Sequence, residues 1–115
     1  MTFLLIKISA MENLQESKII EINDLNNKYK FRINLFNVEE GLNFFLKSAS
    51  NQQIDTDKIE ILLKQAILLN EKQPELNQKF SLELAKITFR NPVSIIKLAT
   101  EIMEFQSVFL KDFKI

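Results

Sequence analysis

Cysteine, histidine and tryptophan are missing from all 115 residues, and each absence closes off chemistry. Without Cys or His the chain cannot build a zinc cluster, a thiol nucleophile or a Ser-His-Asp relay, and it has no disulfide framework. One Gly and two Pro leave little material for a phosphate-cradling loop. Charge of one sign is also lacking. Fifteen basic side chains cancel fifteen acidic ones, so no net field draws the chain to nucleic acid or to an anionic membrane. No run approaches the roughly 18 apolar residues of a membrane span. The first apolar run, Phe3-Leu4-Leu5-Ile6, is too short for a signal peptide and has no cationic residue before it. The chain is therefore expected to stay in the cytoplasm.

What remains is 46% hydrophobic and 26% charged, a composition that folds rather than one that stays disordered. The length suits one small domain. The first ten residues read either as a flexible arm whose Phe3, Leu4, Leu5 and Ile6 serve self-association or as an ordinary short strand on the sheet. Strand alternation is clearest over 18–36. There Tyr29, Phe31, Ile33 and Leu35 alternate with Lys30, Arg32 and Asn34, and Ile20 and Ile22 flank Glu21 upstream. Asn26-Asn27 as the turn pairs Ile22 with Phe31, Ile20 with Ile33 and Glu21 with Arg32.

Beyond residue 36 the period becomes helical. Asn37 with Glu40 forms a capping box for a first helix, whose stripe is Val38, Leu42, Phe45, Leu46 and Ala49. Asp55 or Asp57 caps a second helix running to about Glu71. Pro74 opens a third, and Asn91-Pro92 a fourth that ends near Lys111. The expected architecture is mainly α: a short N-terminal β-hairpin (18–36) followed by about four helices (37–115), in a single domain.

These helices carry more apolar surface than one stripe each. Ile61 and Leu68 sit opposite the second helix's face of Ile59, Leu62, Leu63, Ala66 and Leu69. In the third, Leu82, Ala85 and Phe89 lie behind Leu76, Phe80, Leu84 and Ile87. Phe44 points away from its own helix's stripe, and Phe105, Phe109 and Phe113 make an aromatic ridge on the fourth. A helix apolar on two sides is either central or covered by a partner. Phe44, Ile61, Leu68, Leu82, Phe89, Phe105, Phe109 and Phe113 are thus expected to bind a partner.

Catalytic groupings are not found. Glu39-Glu40 suits a helix start, and Asp55 with Asp57 lacks the further ligands and Gly of a calcium loop. Lys28, Lys30 and Arg32 read as the solvated face of a strand. The expectation is a non-enzymatic protein with no metal and no cofactor.

The order of strand, Asn-rich turn, alternating strand Tyr29–Phe36 and capped helix Asn37-Val38-Glu39-Glu40-Gly41-Leu42, with its Asn91-Pro92 start and long final helix, resembles a known family. It is similar to the small tail assembly chaperones of long-tailed, non-contractile phages, lactococcal phages in particular. The resemblance covers about residues 11–115 and implies a homo-oligomer of the host cytoplasm, absent from the mature virion. Its partner would be the long helical tape measure protein, held soluble in an apolar groove until the tail tube polymerises around it. Neither nucleic acid nor membrane is implied. The rival reading is a small regulatory binding module, antitoxin-like or anti-repressor-like, that uses an exposed apolar helix face.

Overall fold

The computed structural model describes residues 17–49 and 56–107. The arm at residues 3–6, Asp55, Phe109 and Phe113 lie outside the described residues. Two long strands, β1 (Ser17–Asp24) and β2 (Asn27–Asn34), form the hairpin. Helices α1 (Val38–Ala49) and α2 (Thr56–Leu63) follow. Then come β3 (Ala66–Leu68), a 3-10 turn (Pro74–Leu76) and β4 (Gln78–Lys79). Helices α3 (Leu82–Thr88) and α4 (Pro92–Gln106) complete the described chain. The strands make one antiparallel sheet in the order β1-β2-β3-β4. The molecule is an α+β domain, which corrects the expectation of a mainly α fold with helix throughout 37–115.

The correction lies in residues 64–80. The apolar run 66–69 continues the helical spacing of α2, yet α2 stops at Leu63, and Gln65 N–H turns back to Leu62 O at 3.0 Å. Gln65 O then accepts from Asn34 N at 2.8 Å, and Leu69 N donates to Lys30 O at 2.9 Å. The run is thereby zipped onto the open edge of β2. Pro74 opens only one 3-10 turn. Around it, Asn70 Oδ1 accepts from Lys72 N and Gln73 N, and Asn77 Oδ1 accepts from Asn70 N. Asn side chains of this kind supply the backbone with an alternative to helix.

The hairpin register also differs. Asp24 pairs with Asn27, so the turn is Leu25-Asn26, and Ile22 faces Tyr29, Ile20 faces Phe31 and Glu21 faces Lys30. Relative to the expected pairing each partner moves by two residues, which preserves the faces. Ile20, Ile22, Phe31 and Ile33 all remain buried. Turn propensity favoured Asn in the left-handed region, yet Leu25 occupies it with φ 55°. The cause is Asp24, whose carboxylate is fixed to a distant helix and so ends the strand one residue early. Leu25 is 65% exposed, so its side chain contributes little packing against a backbone cost of about 1 kcal/mol. Leu25→Asn is accordingly expected to raise stability by about 0.5–1 kcal/mol, read as a higher midpoint in thermal unfolding.

Helix α4 covers the inner face of the sheet and packs against β1, α2 and α3. Leu98, Ala99 and Ile102 are buried with Phe31, Ile33, Leu62, Leu63 and Phe80. Asn91 caps α4 by accepting from Val93 N, as its Asn-Pro start leads one to expect. Asn37 likewise accepts from Glu40 N at 2.8 Å, and its amide donates to Glu40 Oε1. The third helix begins later than expected, with Ser81 as its cap.

Candidate functional site

Three polar side chains are buried among the described residues, and all three hold α4 to the sheet. Asp24 accepts from Arg90 N at 2.8 Å, Asn91 N at 3.0 Å and Ser94 Oγ at 2.8 Å. The Arg90 N–H is the main influence holding its carboxyl below the usual range. Burial opposes it, while the Asn91 N–H, the Ser94 hydroxyl and the Arg90 charge reinforce it. At the other end of the helix, Gln106 accepts from Phe36 N at 2.9 Å and donates to Asn34 O at 2.7 Å. Every polar group in these two knots is satisfied. They are anchors, and neither holds a hydrogen-bonding group in reserve for a ligand.

A groove of about 770 Å³ opens between the hairpin and loop 69–77 and is lined by Lys28, Lys30, Lys72, Glu21, Glu71 and Leu76, among others. Three lysines there suggest an anion site, but carboxylates answer two of them. Lys30 pairs with Glu71 and Lys28 lies 4.0 Å from Glu21. The Glu71 carboxylate raises the Lys30 pKa, first through their hydrogen bond and then through its charge. Both pairs are exposed and are worth little in water. No group of three or more Asp or Glu side chains converges as a metal site among the described residues.

The apolar surface is distributed differently from the helical wheels. Phe44 and Phe89, expected to meet a partner, are each 5% exposed. Leu68, Leu82 and Phe105 are half-buried against the core. Of the described residues in that expected set, Ile61 alone is exposed, at 42%. The wheels for the first and third helices are only partly reversed, since Phe45, Phe80 and Leu84 of the expected inner stripes do lie in or against the core. On α3, Ala85 is buried and Leu82 packs on the core beside Leu84 of the expected inner stripe, while Ile87, from that same stripe, is 82% exposed. On α1, Phe44 turns inward and stacks at 5.3 Å from Phe36 and 5.2 Å from Phe45. Part of the expected inner stripe of α1 faces out, with Val38 48% and Leu46 69% exposed and Leu42 half-buried, while Phe45 of the same stripe packs on the core.

Val38, Leu42 and Leu46 recur every four residues and form one ridge about 12 Å long. Sequence reasoning found these residues and assigned them to the wrong side. The signal it lacked was the Phe36–Phe44 contact, because Phe36 leaves β2 directly beneath α1. An amphipathic helix with its aliphatic ridge outward can receive another helix. No described helix is long and apolar enough to cross a membrane. Comparisons with protein-family models, with curated proteins and with solved structures each find no match for this chain.

Proposed function

We propose that this protein is a non-enzymatic tail assembly chaperone that self-associates in the host cytoplasm. It holds the tape measure protein soluble until the tail tube forms and does not remain in the virion. The observation that carries this reading is the outward ridge of Val38, Leu42 and Leu46 on α1. With Val38 48% and Leu46 69% exposed, the apolar surface still wet is worth about 1–2 kcal/mol for each side chain, and a helical client would recover part of that. A long helical client also needs many weak contacts in series. A small subunit with one short ridge, repeated by self-association, supplies them by avidity. Holding requires no catalysis, and the satisfied interior polar groups are in keeping with that.

The test is co-expression with tagged fragments of the long helical protein expected to be encoded just downstream. The wild-type chain is expected to co-purify with at least one fragment. Val38→Ser combined with Leu46→Ser is expected to cut the captured amount about tenfold, with the melting midpoint within about 3 °C of wild type, as for exposed substitutions generally. Unchanged capture by that variant would overturn the assignment of α1 as the client surface.

A further inference from the structure

Strand β1 is an edge of the sheet, and among the described residues no strand pairs with its outer side. Among the described residues its eight residues therefore leave a row of backbone donors and acceptors unpaired, and they contain no proline to blunt the edge. Beside it a groove of about 360 Å³ opens between Glu21, Ile22 and Asn23 on the strand and Ile96, Lys97, Thr100 and Glu101 on α4, its two carboxylates outnumbering its one lysine. Ile19, on the opposite face of the strand, is 59% exposed, and Ile96 is 52% exposed.

We propose that β1 of a second copy of this chain closes this edge, antiparallel, about a two-fold axis through Ile20. Side chains alternate along a strand, so a two-fold normal to the sheet keeps core face beside core face only if it passes through a residue. An axis through Glu21 would oppose two carboxylates. An axis through Ile20 pairs Ser17 with Asn23, Lys18 with Ile22 and Ile19 with Glu21. Because Ile22 lines the groove together with Glu101, Lys18 of each copy enters the other's groove beside Glu101. Neither Lys18 nor Glu101 has an ion-pair partner among the described residues. The chain's zero net charge adds no overall repulsion between copies. The interface is thus self-complementary in backbone and in charge.

This pairing supplies a surface for the self-association in the proposed chaperone role and rests on that role for nothing else. Sedimentation of the full chain is expected to show a dimer or an even multiple. Lys18→Glu and Glu101→Lys are each expected to weaken association about tenfold, since each sets two pairs of like charges together. Mixing the two variants in equal amounts is expected to restore association, because a mixed pair regains both attractions. The register has its own test, since the chain contains no natural cysteine. Ser17→Cys with Asn23→Cys is expected to give a disulfide-linked dimer on mild oxidation. Ser17→Cys alone is expected to stay unlinked, its two copies lying about 20 Å apart along the strands. A monomeric wild-type chain, charge variants that associate as wild type does, or a mixture that fails to recover would each overturn the pairing. A chain that pairs in this way and captures no tape measure fragment would instead overturn the chaperone reading and leave the pairing standing.

Discussion

Replacing Asp24 by alanine is expected to lower the melting midpoint by about 10 °C or more, a large effect for one polar side chain in a domain of this size. Its carboxylate is fully buried and receives the N–H groups of Arg90 and Asn91 and the Ser94 hydroxyl. Removing it leaves those three donors without their acceptor at the start of α4, the helix that covers the sheet. Asp24→Asn keeps the shape but places amide hydrogens opposite donors, so most of the loss is expected to remain. The pH dependence has a definite sign. Hydrogen bonds, that from Arg90 N–H foremost, lower the folded-state pKa of Asp24 below its ordinary 3.8. The native state therefore releases this proton more readily than the unfolded state does. The stabilisation is fully present above the unfolded pKa and is lost as pH falls through the folded value. Chemical denaturation of the wild-type chain should show that loss from about pH 4 downward, and in Asp24→Asn that part of the acid limb should be missing.

The same residue explains why parts of the fold could be read from the sequence and others could not. Capping is local chemistry, and both Asn37 and Asn91 start their helices as their neighbours foretell. Strand alternation is also local, so the buried face of the hairpin was legible through Ile20, Ile22, Phe31 and Ile33. The register was not, because Asp24 and its partners at 90–94 are more than sixty residues apart in sequence. That distant bond overrode the turn preference of Asn26-Asn27. Strands β3 and β4 were hidden for a related reason. Ala66-Ile67-Leu68 has no β-strand alternation of its own, and its conformation is decided by the edge of β2 it meets. Gln106 reads as an ordinary polar residue near the end of a helix until Asn34 and Phe36 arrive beside it.

The candidate surface was legible in kind and illegible in place. Spare apolar circumference is present, as Leu46, Ile87, Val93 and Ile96 show. A wheel reports only that two sides of a helix are apolar. It is the neighbours that choose between them, and on α1 the two adjacent rings, Phe44 and Phe45, both turn to the core. Phe44 brings a ring to Phe36, whereas Val38 and Leu46 have nothing comparable to meet.

The exchange of Phe89 and Ile87 between core and surface yields the largest expected effect of all. Phe89→Ala is expected to destabilise the domain by about 3–5 kcal/mol, a large share of the roughly 5–15 kcal/mol that holds a domain together. Phe89 caps α3 through its backbone, with its N–H on Ala85 O. Its ring closes an aromatic group with Tyr29 at 5.6 Å, Phe80 at 5.8 Å and Phe31 at 6.0 Å. Phe31 and Phe80 are in turn 4.9 Å apart, edge to face. Truncation opens a cavity where β2, the residue leading into α3 and the residue leaving it all converge, and no neighbouring side chain is free to fill it. The helical wheel makes the opposite prediction, that a polar replacement at Phe89 spares the fold and harms only partner binding. Ile87→Ala decides between the two. With Ile87 82% exposed, its loss is expected to change stability by no more than about 0.5 kcal/mol. Urea unfolding of both variants measures the contrast directly, and a Phe89→Ala chain as stable as Ile87→Ala would refute this account of the core.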